Sequence, residues 1–369
     1  MREYLITFFI AASVTYLVVG LSGRLAHWLG AVPPTRDRDV HRGPVPRLGG
    51  TAMLAGMLAA MLVASFLPRM RGVFEELTDA RALITAAVVV CLVGVADDIW
   101  DLPALTKFAG QVFAAGLLVV QGVQLNWLQL PSGTISLDPV QGAFLTVLLV
   151  VSTANAVNFI DGLDGLAAGV IGIGAAAVAT YAYLLTVEQG YSRLTTPTLV
   201  AVVLMGMCAG FLPHNVNPAK IFMGDSGSML IGLMLAAAAI SLTGRFPSTE
   251  VEGSSLLLTL LPLVLPLAVI ALPFIDMTLA VVRRTRAGRS PFAPDKQHLH
   301  HRLLQVGHSQ RRAVAIMWVW AAIVSFGVVA IALVGGWTTF ALVGTAVLVM
   351  IGFTTGRPRV LFGRRRVSV

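Results

Sequence analysis

Residues 140–165 read VQGAFLTVLLVVSTANAVNFIDGLDG. From Val140 to Ala156 the run is apolar without strand-like alternation, and it ends in a turn dense in Asn, Asp and Gly. A barrel strand crosses a bilayer in about 10 alternating residues, whereas a helix needs about 20 mostly apolar ones. In hydrocarbon every backbone N–H and C=O must find a partner inside its own segment, so a run of this kind predicts a membrane-spanning helix. The rest of the chain repeats the pattern. Of 369 residues, 56% are hydrophobic and 12% charged, with a mean hydropathy of +0.82. A soluble domain carries about 25% charged residues, so the composition excludes an ordinary cytosolic enzyme, a disordered chain and a secreted module. The expected fold is all-α, a polytopic transmembrane bundle. Cys91 and Cys208 lie inside apolar runs and read as small packing residues, not as a disulfide. The run from Leu5 to Leu21 lacks a basic leader and a small-residue cleavage pattern, so it reads as the first span.

Polar and Pro/Gly breaks divide the chain into eleven apolar segments: Leu5 to Leu25, Leu48 to Leu67, Ala82 to Ala96, Phe108 to Val123, Val140 to Ala156, Ala167 to Val187, Thr198 to Phe211, Ser228 to Thr243, Leu256 to Val282, Val314 to Val334 and Thr338 to Phe353. The third, seventh and eleventh are short, and an error in any of them would invert everything after it. Loop charge orients the bundle. Twenty of the 26 Lys and Arg fall in one set of loops, at 24–47, at Lys107 and Lys220, in 283–312 and in 357–366. The other set holds only Arg2, Arg69, Arg71, Arg81, Arg193 and Arg245. The N-terminus is therefore expected outside and the C-terminus in the cytoplasm. The net charge of +8 follows from this asymmetry, which suits anionic lipid headgroups and gives no ground for nucleic-acid binding. The expected organisation is one integral membrane domain over 1–369, with a cytoplasmic loop at 283–313 and a basic tail at 356–369.

Carboxylates beside membrane spans are costly and point to function by default. Six of the 18 acids gather in three short segments that this topology puts on one face: Asp97, Asp98 and Asp101; Asp161 and Asp164; and Asp225. If helical, Asp97 and Asp101 share a face where like charges repel, so a cation should neutralise them; a solvated helix end before Pro103 is the plainer reading. Asn155, Asn158, Asp161 and Asp164 offer hard oxygen ligands beside two glycines; capping explains Asp164 alone. Around Asp225, from Asn215 to Ser228, a helix cap and a phosphate- or metal-binding turn fit equally well. His298, His300 and His301 cluster in the basic loop, where donors to phosphate suit the setting better than zinc, since no Cys is near. Gly169, Gly172 and Gly174 sit inside an apolar run and read as a helix-packing surface. Clustered carboxylates and amide oxygens, joined by Lys, Arg and His on one face, suit Mg²⁺ and a phosphate-bearing substrate, because Mg²⁺ takes one or two protein carboxylates and completes its shell with water and phosphate.

The ordered motifs Asp97-Asp98-x-x-Asp101, Asn155-x-x-Asn158-x-x-Asp161-Gly-x-Asp164-Gly-Leu, Gly224-Asp225-x-Gly-Ser228 and His298-x-His300-His301, with Pro46-Arg47-Leu48-Gly49-Gly50, resemble the polyprenyl-phosphate N-acetylhexosamine-1-phosphate transferase family over about Arg36 to Leu303. The resemblance implies an eleven-helix bundle with an extracellular N-terminus. The His-x-His-His form is similar to the branch that moves GlcNAc-1-phosphate from UDP-GlcNAc to undecaprenyl or decaprenyl phosphate, the first membrane step of a wall polymer or polysaccharide. Another UDP-HexNAc or UDP-MurNAc-pentapeptide is the alternative donor.

On this resemblance Mg²⁺, with Mn²⁺ as a substitute, is expected on Asp225 with Asn158 as co-ligand. Asp97 would be the base or orienting carboxylate for the lipid phosphate, with Asp98 supporting metal or substrate. Asp161 and Asp164 would shape the nucleotide pocket, aided by Asn155 and Asn215. Lys107, Arg284, His298, His300 and His301 would hold phosphate oxygens. The lipid phosphate would attack the β-phosphorus and expel UMP, and a covalent Asp intermediate is the rival route. The expected partners are UDP-GlcNAc, polyprenyl phosphate and the cytoplasmic membrane, with the site facing the cytoplasm; a homodimer is compatible with such a bundle. A secondary transporter is the competing class, with Asp276 in the ninth segment as its best support, and a purely structural scaffold would leave the acid and histidine clusters without a purpose.

Overall fold

Long apolar runs become helices here because the backbone can satisfy itself in no other way. The structure is a computed structural model that describes residues 1–32, 44–75, 78–130, 133–188, 194–245 and 307–355, and between them 264–265, 268–269, 271, 278, 281–283, 285–286 and 288. The elements are α1 (Arg2–Leu29), α2 (Gly49–Ser65), α3 (Arg71–Glu75), α4 (Thr78–Trp100), α5 (Ala104–Val120), β1 (Trp127–Leu130), β2 (Gly133–Ser136), α6 (Pro139–Ile160), α7 (Leu166–Glu188), α8 (Thr195–Asn215), α9 (Gly224–Arg245), α10 (Gln310–Leu333) and α11 (Gly336–Thr355). Among the described residues eight helices are long and apolar enough to cross a membrane, and α2 and α5 are shorter apolar helices. The protein is a polytopic helical membrane protein.

Ten of the eleven expected segments fall on these helices, while the ninth, Leu256 to Val282, lies mostly outside the described residues. The three segments that look short in the sequence are full-length helices. α4 continues through Asp97 and Asp98, α8 runs from Thr195 through His214 to Asn215, and α11 spans Gly336–Thr355. Hydropathy truncates a helix where its side chains turn polar, but the backbone ladder does not stop there. The strands are an addition that long-run reasoning passes over. β1 pairs antiparallel with β2, and the Trp127 indole N–H donates to the Thr243 carbonyl at 3.1 Å, fastening the hairpin to the end of α9.

α9 is the axis of the bundle. Its apolar window is 94% buried, against 28% for α1 and 11% for α11, which places those two at the periphery. A helix apolar all round belongs inside, and α9 packs against α2, α4, α6 and α8. Two glycines allow the closest approaches. A Cβ on Gly94 of α4 would lie 2.6 Å from the Asp225 carbonyl carbon, and one on Gly50 of α2 would lie 2.6 Å from the Gly227 Cα, so both backbones pass the first turn of α9 with no room for a methyl group. Small residues at helix crossings supply the van der Waals contact that drives association in lipid. The glycine string of α7 is likewise a packing surface, with Gly169 against Trp318, Gly172 against Cys208 and Gly174 against Val269. Cys91 and Cys208 are free and buried. Leu17, Phe113, Val120, Phe144 and Leu342 are exposed on the outside, where hydrocarbon suits them.

Hydrogen bonds between loops bring the C-terminal ends of α4, α6 and α8 to the same end of the bundle as the N-terminal ends of α2, α5, α7, α9 and α10. A cavity of about 650 Å³ opens at the opposite end, lined by Asp79, Gln124, Asn126, Thr196 and Ser241, and contains none of the clustered carboxylates.

Candidate active site

The first turn of α9 is built from outside. Asp98, at the end of α4, accepts the Asp225 N–H at 2.9 Å and the Ser226 N–H at 3.1 Å, one with each carboxylate oxygen. Free amides and the positive end of a helix dipole make this a favourable seat for a carboxylate. A side chain on Gly224, at φ 70, would strike the Asp98 carboxylate. Asp98, expected to support metal or substrate, thus caps α9 from a neighbouring helix. Asp225 is then not needed as a cap, and its side chain turns toward other partners. On the other side, the Pro46-Arg47-Leu48-Gly49-Gly50 loop pairs with the strand of chain before α9: Phe222 N–H donates to the Pro46 carbonyl at 2.8 Å, Gly49 N–H to Phe222 at 3.1 Å and Gly50 N–H to Met223 at 3.1 Å.

Asp225 is held at both oxygens. The Asn158 amide donates to Oδ1 at 2.9 Å and also to the Ser228 hydroxyl at 2.9 Å, while the Lys107 ammonium pairs with Oδ2. Lys107 also donates to Asp97 Oδ2 at 2.9 Å, and the Leu102 N–H caps Asp97 Oδ1 at 2.9 Å. The neutralising cation expected at Asp97 is therefore Lys107, from the first turn of α5; Asp101 is exposed and stands apart at φ 52.

One turn deeper, a second polar layer joins α5 to α6. The Asn155 amide donates to Gln111 Oε1 at 2.6 Å and to the Val151 carbonyl at 2.8 Å, and the buried Gln111 amide reaches the Met229 sulfur at 3.0 Å. Asn155, expected among the substrate-binding residues, faces the bundle interior. Asn215 and Asp164 serve the backbone in the same way. Asn215 accepts the Gly165 N–H at 2.9 Å and donates to the Ile221 carbonyl at 3.0 Å. Asp164 Oδ2 accepts from the Asn217 amide at 2.9 Å and the Ala219 N–H at 3.0 Å, so it braces the loop before α9. Asn217 in turn meets Gln310 at 2.9 Å, and its carbonyl accepts from Arg311 at 2.8 and 3.0 Å, which docks α10 on this loop.

Asp161 differs from the others. It ends α6, where its backbone N–H bonds to the Val157 and Asn158 carbonyls, it is half-buried, and its side chain makes no hydrogen bond among the described residues. Burial raises its carboxyl well above the usual carboxylate range, the charges of Asp225 and Asp98 add to the rise, and the Arg47 guanidinium opposes it. Arg47 is half-buried on the loop zipped to α9. Arg47, Gln111 and Asn217 are absent from the residues expected as the site. A lone amide four residues beyond Lys107, in an otherwise apolar helix, was the signal for Gln111. Arg284, His298, His300 and His301 lie outside the described residues, as does Asp276.

Among the described residues no three His, Cys, Asp or Glu side chains converge to form a metal site alone. The donor set still fits Mg²⁺, which asks for one or two carboxylates and takes the remainder from water and phosphate. Asp225 and the carboxamide oxygen of Asn158 are the groups that could hold it.

The sequence is similar to those of known proteins. The pattern described as "Glycosyl transferase family 4" matches residues 80–243. The decaprenyl-phosphate N-acetylglucosaminephosphotransferase of Mycobacterium leprae is 48% identical over 331 residues, 89% of this chain and 83% of that protein. The chain belongs to glycosyl transferase family 4. The family 4 match runs from α4 to the end of α9 and so contains Asp97, Lys107, Asn158, Asp161 and Asp225, whereas Arg47 and Arg311 lie beyond it. A second family member, the Mycolicibacterium smegmatis protein with the same description, is 46% identical over 96% of this chain and 88% of its own. The probable undecaprenyl-phosphate N-acetylglucosaminyl 1-phosphate transferase of Bacillus subtilis is 33% identical over 86% of this chain and 82% of that protein.

Proposed function

We propose that this chain transfers GlcNAc-1-phosphate from UDP-GlcNAc to a polyprenyl phosphate, decaprenyl or undecaprenyl, releasing UMP. The observation that carries the reading is the Lys107 bridge between Asp97 and Asp225 beside Asn158, at a helix-end cluster bordered by the exposed apolar residues Trp100, Leu105 and Phe108. A charged, hydrogen-bonding centre next to a greasy rim suits a water-soluble diphosphate donor and a lipid-borne phosphate acceptor. The names of the family 4 relatives give such a lipid phosphate acceptor and an N-acetylglucosamine phosphate as the group transferred.

An oxygen of the lipid phosphate attacks the β-phosphorus of the donor, and the bond to the α-phosphate oxygen breaks to leave UMP. The acceptor monoester is largely ionised at neutral pH, so the protein's work is positioning and charge neutralisation. Lys107 offers an ammonium to the transferring phosphoryl group, and Asp97 orients that ammonium from the other side. Asn158 and the capped first turn of α9 hold Asp225 still. Arg47 and Asp161 border the donor side. Mg²⁺ held by Asp225 and Asn158 would supply neutralisation of the diphosphate charge. Eleven spans, with the N-terminus outside and these helix ends at the cytoplasmic face, accord with the loop-charge asymmetry.

Purified protein is to be incubated with labelled UDP-GlcNAc, decaprenyl phosphate and Mg²⁺. The expected products are UMP and a lipid-linked sugar diphosphate. Release of UDP would instead signify transfer of the sugar alone, and absence of turnover with either lipid length would reject the reading.

A further inference from the structure

Lys107 stands where a divalent cation would have to compete with it. Its ammonium is shared between Asp97 Oδ2, at 2.9 Å, and Asp225 Oδ2, while Asn158 takes the remaining Asp225 oxygen at 2.9 Å. The carboxylate best suited to a cation is thus fully engaged within the protein. Yet the lock is built to open. The Lys107 side chain is 27% exposed, against 8% for Asp97, and an ammonium on a flexible four-carbon stem can swing away without moving its helix. The partners of Lys107 are fixed independently of it, Asp97 by the Leu102 N–H and Asp225 by Asn158 and the capped α9 turn.

We propose that Lys107 is the resident counter-ion of the resting site, which closes Asp225 to free divalent cations and has to release that carboxylate before one is held there. The inference rests on the reading that Asp225 takes a divalent cation. It follows that the empty protein binds such cations weakly, and that loading is favoured when an anionic ligand arrives to receive the displaced ammonium.

The test is Mn²⁺ binding to the full-length protein in detergent without substrates, followed by the paramagnetic resonance of free Mn²⁺. Lys107→Gln keeps a hydrogen-bond donor and removes the charge; its Mn²⁺ affinity should rise about tenfold or more, as expected for removing a contact charge. Lys107→Arg should stay at the wild-type value, and Asp225→Asn added to Lys107→Gln should cancel the gain. Arg47→Gln removes a nearby charge that is not bonded to Asp225 and should change affinity far less. An unchanged affinity in Lys107→Gln, or an equal rise in Arg47→Gln, overturns the lock while leaving the cation reading standing. Absence of Mn²⁺ binding in every variant overturns both. A second measurement needs no variant: acylation of Lys107 by an amine reagent, read by mass spectrometry, should increase in the wild-type protein once Mn²⁺ is raised to the concentration that saturates its weak binding, and unchanged labelling at saturation overturns the proposal.

Discussion

At the scale of single residues, the acids of this site have separate tasks that look identical in the sequence. Asp225 and Asp97 share a cation, Asp98 and Asp164 hold backbone amides, and the Asp161 carboxyl has no hydrogen bond among the described residues. Asp225→Asn should therefore lower turnover by about two to three orders of magnitude, the range for losing a charge-stabilising group, while the circular-dichroism spectrum and unfolding midpoint stay near wild type. Near-normal turnover in that variant would remove Asp225 from the chemistry. Asp161 makes a prediction about pH. Its folded carboxyl lies well above the unfolded value, so the folded protein binds the extra proton, and its contribution to stability is present at low pH and lost as pH rises through the folded value. The unfolding midpoint of the wild type should fall with rising pH more steeply than that of Asp161→Asn. Parallel curves would show that Asp161 does not titrate in this way.

At the scale of elements, α9 depends on its neighbours at the end where Asp225 sits. Asp98→Asn replaces one acceptor by an NH₂ facing one of the two backbone amides, at a cost of about 1–3 kcal/mol. The unfolding midpoint should drop, and activity should fall with it because Asp225 loses its register; Asp98→Glu should not rescue, since the added methylene displaces both acceptors. Gly94→Ala places a methyl group against the Asp225 and Ser226 backbone. That variant should yield little folded protein, whereas Gly116→Ala, on the open side of α5 with nothing within 4 Å, should behave as wild type. The long helices were legible as apolar runs, and their interior glycines as a packing surface. Which glycine meets which turn was not, because a close approach depends on the partner helix, and nothing local in Gly94 distinguishes it from Gly116.

At the scale of the whole molecule, the helix ends that carry Asp97, Lys107, Asn158, Asp161 and Asp225 share one end of the bundle, and Arg69 lines a cavity at the other. The orientation proposed from loop charge is testable on cells. In a background lacking Cys91 and Cys208, a cysteine replacing Arg69 should react with a membrane-impermeant maleimide from outside, and one replacing Lys220 only after permeabilisation. Both positions are exposed, so access to reagent reports the side of the membrane. Labelling in the reverse order would invert the assignment, and equal labelling would break the topology.

Membrane residence and a helical bundle were written in the chain itself, because apolar runs of this length leave the backbone one way to satisfy its polar groups. So was the gathering of acids on one face, since alternating spans return every second loop to the same side. The division of labour among those acids belonged to the tertiary structure alone. Whether a carboxylate meets an ammonium, two backbone amides or no partner is decided by elements distant in the chain, as Asp98 with Ser226 and Lys107 with Asp225 demonstrate, and no local pattern records that meeting.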